Sequence, residues 1–76
     1  MEHDDTVDTL GMLCPLPVLK ARKRLQSLNV GQVLRVLADD PVAVIDVPNF
    51  CHESGHDLLS SQQSGTTQTY LIRKGG

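Results

Sequence analysis

Aromatic side chains are almost missing from this sequence: tryptophan is absent, and Phe50 and Tyr70 are the only phenylalanine and tyrosine among 76 residues. Few side chains are therefore available to stack on nucleotide bases. A basic excess is missing as well, because nine acidic residues outnumber seven lysines and arginines and give a formal charge of −2. We therefore expect no direct binding to nucleic acid, since dedicated binders usually carry a clear excess of positive charge.

Long apolar runs are also lacking, and none approaches the length that is needed to cross a bilayer. The N-terminal segment Met1–Asp5 is acidic and lacks the basic and apolar regions of a secretory signal. The sequence thus predicts a soluble protein of the cytoplasm, with no membrane contact.

Cysteine is scarce too, because Cys14 and Cys51 are too few for the disulfide framework of a small secreted domain. The short chain predicts a single domain over residues 1–76, with a monomer as the default state. Such a domain buries only about 60% of the surface of its unfolded chain and cannot enclose a deep cavity. Any reactive atom is therefore expected near the surface, where a larger partner completes the site.

Hydrophobic periodicity and turn residues predict the element order β-α-β-α-β-β. The predicted elements are a strand over Thr6–Leu10, a helix over Pro15–Leu28, a strand over Val33–Ala38, a helix from Pro41 to Gly55, and a hairpin of Leu58–Gln62 and Thr67–Arg73 that turns at Ser64-Gly65. Right-handed crossovers would place both helices on one face of the sheet. The result is a two-layer sandwich.

Each predicted helix has an apolar stripe. The stripe of the first helix is Val18, Ala21, Leu25 and Leu28, and that of the second is Val44, Val47 and Cys51, with Phe50 beside it. Asp40 before Pro41 favours a capped helix start. Pro48 removes a backbone hydrogen bond, which predicts a kink or a short, irregular helix.

Cys14 begins the segment Cys14-Pro15-Leu16-Pro17, at the junction between the first strand and the first helix. The free N–H groups and the dipole of a helix start favour negative charge, so the position predicts a thiol that ionises readily. The thiolate is the nucleophile in sulfur chemistry, and a persulfide anion would be favoured by the same field. No residue nearby in sequence resembles a dedicated general base. Sulfur transfer between thiolates does not require one.

Leu13 and Leu16 flank the cysteine as an apolar rim that suits docking against a partner protein. A structural alternative is that Cys14 is merely a small buried residue at a strand–helix junction. The two prolines and the strand–turn–helix context favour the functional interpretation.

The chain resembles the TusA (SirA-like) family of sulfur carriers. The similarity covers nearly the whole length, and its specific segments are Asp8–Pro17, Ala38–Pro41, Asp46–Cys51 and Tyr70–Gly76. The resemblance implies an α+β sandwich with a mixed four-stranded sheet. It also implies a sulfurtransferase in which Cys14 accepts sulfane sulfur from a cysteine desulfurase and passes it to an acceptor protein, with no cofactor and no turnover without partners.

The same resemblance gives the candidate pathways, which are tRNA thiolation to 2-thiouridine, molybdenum cofactor assembly, sulfur oxidation and selenium metabolism. The motif of TusA in the narrow sense usually has glutamate at the position of Leu16 and arginine at that of Leu13. Both positions flank the sulfur. We therefore expect these departures to affect which protein receives the sulfur and to leave the chemistry at Cys14 unchanged.

Four other features suggest alternatives. The terminal Gly75-Gly76 is typical of carriers that hold sulfur as a thiocarboxylate, although the element order favours a frayed end. His52-Glu53-Ser54-Gly55-His56 matches the zinc motif HExxH, but Gly55 is expected to end the helix inside it, so we expect no metal site and two solvent-facing histidines. Cys51 is expected to pack in the core rather than to form a disulfide with Cys14.

The fourth feature is a basic cluster on the first helix, formed by Lys20, Arg22, Lys23 and Arg24. Most charge runs are solvated helix faces. The functional alternative is a docking surface for an acidic desulfurase, with Arg22 and Arg24 as its candidate residues, and direct tRNA binding is the last choice. A binding or regulatory module of the same fold, or a thiol redox protein using Cys14, remains the alternative function, and the reactivity of the thiol distinguishes a carrier from a pure adaptor.

Overall fold

The computed structural model describes residues 3–76, so Met1 and Glu2 of the acidic N-terminal segment lie outside the described residues. The elements are β1 (Asp5–Asp8), α1 (Leu16–Gln26), β2 (Val33–Ala38), α2 (Ala43–Ser54), β3 (Asp57–Ser64) and β4 (Thr67–Arg73). Their order and the α+β class are those predicted.

The strands form one mixed sheet in the order β1-β2-β4-β3. β1 and β2 are parallel, with Val7 opposite Val36, and α1 is the crossover between them. β4 is antiparallel to both β2 and β3, with Tyr70 opposite Val36 and Ser61. The predicted hairpin is therefore confirmed, and the residues between its strands are Gly65 and Thr66.

Both helices pack on the same face of this sheet. Alternate residues of β2 and β4 supply the floor of the core, which consists of Leu34, Val36, Ala38, Tyr70 and Ile72. On α1, Ala21 and Leu25 are buried, and Val18 and Leu28 pack against them, as the helical spacing predicts.

The buried stripe of α2 differs from the predicted one. It consists of Ala43, Val47, Phe50 and Cys51, whereas Val44 is 50% exposed. Consecutive helical residues are about 100° apart, so a stripe that begins at Ala43 turns Val44 away from the sheet. The prediction for Val44 was wrong.

The predicted cap of α2 was wrong: the helix begins at Ala43 with Val42 in the cap position and no side-chain cap, so Asp40 lies in the turn before it. The Asp40 carboxylate accepts the Val42 N–H at 3.1 Å, and its carbonyl accepts the Ala43 N–H at 3.0 Å. The helix then continues through Pro48 for 12 residues, so of the two expectations, a kink or a short helix, the short helix is not found. Gly55 ends it in the left-handed conformation, with φ of 75°, as predicted.

The C-terminal residues after β4 are anchored rather than frayed. The Lys74 N–H donates to Gln32, and its ammonium group donates to the Leu28 carbonyl at 2.7 Å. The Gly75 N–H donates to Nδ1 of His56 at 3.0 Å. A Cβ atom on Gly75 would lie 1.7 Å from the Gly55 carbonyl oxygen, so this close approach requires glycine. The prediction that the two glycines form a frayed end was therefore wrong for Gly75.

His56 should make the stability of the protein depend on pH. Its ring packs on Phe50 with centroids 5.7 Å apart. Burial lowers the pKa of His56 below its ordinary value of 6.5, and the charge of Lys74 acts in the same direction. The unfolded chain therefore takes up a proton more readily than the folded one. The stabilisation is complete above about pH 6.5 and is lost as the pH falls through the folded-state pKa.

Urea unfolding at pH 7.5 and pH 5.5 measures this effect, because ordinary carboxylates titrate mainly below that window. We expect the wild type to lose stability at the lower pH, and the variant His56→Gln to lose much less. The control is His52→Gln, which removes an exposed histidine from α2 by the same substitution. Equal pH dependence in the wild type and His56→Gln would contradict the assignment.

Candidate functional site

The loop between β1 and α1 is fastened to the end of β2. The Thr9 N–H donates to the Leu37 carbonyl at 2.8 Å, and both carboxylate oxygens of Asp39 accept the Gly11 N–H at 3.0 Å. Gly11 has a φ of 79°, which a residue with a side chain rarely adopts. The loop therefore turns at Gly11, and Cys14 lies beside the start of α2.

Asp40 holds the backbone of the cysteine. Its carboxylate accepts the Cys14 N–H at 2.6 Å, across 26 residues of sequence. The Asp40 carbonyl in turn accepts the side-chain amide of Gln68 at 2.9 Å, and Gln68 accepts the hydroxyl of Tyr70. All three residues are buried. A continuous hydrogen-bonded chain therefore connects the core of the sheet to Cys14.

The Cys14 thiol is exposed at the surface. Its Sγ donates to Oδ2 of Asp46, which lies in the first turn of α2, at 2.9 Å. The alternative in which Cys14 is a buried structural residue is therefore excluded. Asp46 was not found by sequence reasoning, because 32 residues separate it from the cysteine.

The electrostatic prediction for Cys14 was wrong. The hydrogen bond to Asp46 raises the pKa of the Cys14 thiol above its ordinary value of 9.0, and partial loss of solvent and the charges of Asp46 and Asp40 act in the same direction. A neighbouring carboxylate opposes the formation of a thiolate. The surroundings of Cys14 therefore favour the thiol over the thiolate.

The start of α1 has few free N–H donors. The helix begins at Leu16 with Pro15 in the cap position, so Cys14 lies one residue before the cap. The Leu16 N–H donates to the Leu13 carbonyl at 2.9 Å, and the two prolines carry no N–H. The Cys14–Pro15 peptide bond is cis.

Leu13 and Leu16, the two residues of the predicted apolar rim, are both exposed. Leu13 is 69% exposed and Leu16 is 45% exposed, whereas Pro17 is buried against the core. Sequence reasoning missed a second exposed apolar group at the start of α2, which consists of Val42, Val44 and Ile45. A shallow cavity of about 320 Å³ also lies beside the motif, lined by Pro15, Val18, Asp46, Asn49, Phe50 and Glu53.

Of the two candidate docking arginines, Arg22 is exposed on α1. Arg24 instead folds onto β1, where its guanidinium contacts the Asp5 carboxylate at 3.0 Å and the Thr6 carbonyl at 3.0 Å. This ion pair lowers the pKa of Asp5. Arg24 therefore has a structural partner in the chain itself.

Cys51 lies in the core at 2% exposure, as predicted. Burial raises the pKa of its thiol to about 11, which makes it a poor nucleophile and a poor resolving thiol for Cys14.

The HExxH segment does not occupy one continuous helix. α2 ends at Ser54, and Gly55 turns the chain before His56, as predicted. His52 is exposed, but His56 is partly buried and accepts the Gly75 N–H, which corrects the prediction that both histidines face solvent. Among residues 3–76, no group of three or more histidine, cysteine or acidic side chains is placed to hold a metal ion.

Neither helix in that part of the chain has the length and apolar character of a membrane span.

Two comparisons with known proteins agree with this architecture. The family model described as sulfurtransferase TusA matches residues 5–74, from the start of β1 to the residue after β4. Among solved structures, the chain is similar to a SirA-like protein from Desulfitobacterium hafniense. The TM-score is 0.83 and the sequences are 27% identical, over 96% of this chain and 100% of that chain.

Proposed function

Because the chain belongs to the TusA family of sulfurtransferases, we propose that it is a sulfur carrier that holds sulfur as a persulfide on Cys14. The observation that carries the proposal is the exposed thiol in the Cys14-Pro15-Leu16-Pro17 segment, held at the meeting point of the two helices. An exposed sulfur on a small domain is accessible to a larger partner on both the loading and the unloading side.

The proposed loading step exchanges sulfur between two cysteines. The Cys14 sulfur attacks the terminal sulfur of a persulfide on the donor, for which we propose a cysteine desulfurase. A new S–S bond forms on Cys14 while the S–S bond of the donor breaks. The donor cysteine leaves as a thiolate and takes up the proton that the Cys14 thiol gives up. No oxidant or cofactor is needed, and the same exchange in reverse order unloads the sulfur onto an acceptor protein.

We propose that the recipient serves tRNA 2-thiouridine formation or another sulfur-trafficking route in the cytoplasm. Leu13 precedes the motif, Leu16 lies within it, and both are exposed. The exposed apolar group at the start of α2 lies between Asp40 and Asp46, the two residues that bond Cys14. Apolar side chains that surround a reactive sulfur favour contact with a protein acceptor, and the scarcity of aromatic and basic residues disfavours direct contact with RNA.

Incubation of the purified protein with a cysteine desulfurase and cysteine tests the proposal. We expect the intact mass to increase by one sulfur atom and to return to its starting value after reduction. Peptide analysis should locate the sulfur on Cys14. Sulfur on Gly76 would indicate a thiocarboxylate carrier instead, and sulfur on neither residue would support the alternative of a binding or regulatory module.

A further inference from the structure

The contact between Cys14 and Asp46 depends on a single hydrogen atom. Sγ donates to Oδ2 at 2.9 Å, so the thiol proton lies between two atoms that both carry lone pairs. Asp46 is partly buried and its backbone N–H donates to the Val42 carbonyl at 2.9 Å within the first turn of α2. The carboxylate is thus presented from a helix, whereas the Cys14 side chain is exposed at the surface.

Loading must remove this hydrogen atom. In a persulfide, Sγ of Cys14 is bonded to carbon and to the added sulfur, and any proton resides on the terminal sulfur. The contact of Sγ with Oδ2 would then bring two hydrogen-bond acceptors together with no donor between them. An ionised persulfide would add a direct repulsion from the carboxylate.

We propose that Asp46 is a positioning residue that distinguishes the empty carrier from the loaded one, retaining the thiol by a hydrogen bond and repelling the persulfide so that the loaded side chain turns away from α2. This inference rests on the proposed function and adds to it a difference between the two forms. A donor and an acceptor would then meet different arrangements of the same surface.

The charges around Cys14 support this assignment. Asp46 on α2 and Asp40 in the loop before α2 are the charged groups that act on the thiol, and both are negative. Asp40 binds the Cys14 backbone N–H, which loading leaves unchanged, so the backbone stays in place while the side chain responds. The raised pKa of Cys14 agrees with a thiol that is held protonated between transfers.

The first experiment compares two forms of the wild-type protein by NMR. Methyl methanethiosulfonate converts the thiol to an S-methylthio group, which mimics a loaded cysteine because its Sγ carries no hydrogen. We expect the side-chain carboxyl signal of Asp46 to shift on modification by more than that of Glu53, the matched acidic residue of α2. An unchanged Asp46 carboxyl signal would overturn the inference.

The second experiment measures the rate of alkylation by iodoacetamide against pH in Asp46→Asn and in the control Glu53→Gln. Both variants remove one negative charge from α2, but only the first removes the acceptor of the thiol proton. We expect the midpoint of the Asp46→Asn profile to fall and that of Glu53→Gln to remain near the wild-type value. For each pH unit by which the midpoint falls, the alkylation rate at neutral pH should rise about three- to fourfold. A tenfold gain in thiolate is partly offset by the lower nucleophilicity of that thiolate.

Identical profiles for Asp46→Asn and the wild type would also overturn the inference. Its failure can be told from failure of the proposed function, because neither experiment uses a desulfurase. If sulfur is found on Cys14 but Asp46 responds in neither experiment, the carrier role stands and the role of Asp46 is rejected. If no sulfur is found on Cys14 after incubation with the desulfurase, the carrier role is rejected, and with it the assignment of Asp46 to a loaded form.

Discussion

Substitution of Cys14 by serine is expected to abolish sulfur loading by a cysteine desulfurase while leaving the fold intact. A hydroxyl group cannot accept sulfane sulfur under these conditions, because it is a far weaker nucleophile than a thiol or thiolate. The side chain is exposed, and a serine hydroxyl can still donate to Asp46. We therefore expect the free energy of unfolding to change by no more than about 0.5 kcal/mol.

The matched control is Cys51→Ser, which removes the other thiol. Cys51 is buried in the core, so its replacement should lower stability by placing a hydroxyl among apolar side chains, but sulfur should still appear on Cys14. Intact mass and urea unfolding of both variants separate the two effects. Residual reducible sulfur on Cys14→Ser would show that another residue carries it.

Replacement of Asp40 by alanine is expected to have the largest effect on stability of any single polar substitution near the site. The carboxylate is 5% exposed and accepts the N–H groups of Cys14 and Val42. Loss of these two bonds, each made to a charged group, should lower the free energy of unfolding by about 2–4 kcal/mol. Because the bond at 2.6 Å holds the Cys14 backbone, the rate of sulfur loading should fall as well.

Urea unfolding at pH 7.5 measures the loss of stability, and Asp57→Ala is the control. Asp57 also forms an ion pair, with Arg73 at 2.7 Å, but both side chains are largely exposed. Such a pair is worth roughly 0–1 kcal/mol. If Asp40→Ala were no more destabilising than Asp57→Ala, the buried hydrogen bonds of Asp40 would not have the importance assigned to them.

The element order could be predicted because the local signals agree with one another. β2 was placed at Val33–Ala38, where the structure has it, since an apolar run between turn residues is a strong strand signal. Gly55 was predicted to end α2 because the left-handed conformation there favours glycine. The helical spacing also identified Ala21 and Leu25 as the core residues of α1.

The errors arose where tertiary contacts decide the outcome. Val44 lies three residues before Val47 and Ala43 lies four residues before it, and both spacings fit one helix face, so periodicity alone could not tell which residue faces the sheet. The glycine-rich end was expected to fray, but its anchor is His56, which lies 19 residues earlier in the chain. Pro48 was expected to kink or shorten α2, but the helix continues through that residue, with Val47, Phe50 and Cys51 packed in the core.

The site itself was predicted only in part. The sequence identified Cys14 and its apolar rim because a cysteine followed by a proline-rich helix start is a local pattern. The sign of the pKa shift was wrong, because local reasoning included the helix start and omitted the Asp46 carboxylate at 2.9 Å. A direct hydrogen bond to an anion outweighs the partial charge of a helix end whose donors are few.

The sequence by itself determined the order of the elements, the candidate cysteine and the family, since each depends on residues that are near one another in the chain. Only the tertiary structure decided that Asp40 and Asp46 meet Cys14, 26 and 32 residues away, and that the hydrogen bond to Asp46 raises the pKa of the thiol. The physical reason is that hydrogen bonds and charges act over a few ångströms of space, and no local pattern in the sequence indicates which distant carboxylates the fold brings within that range.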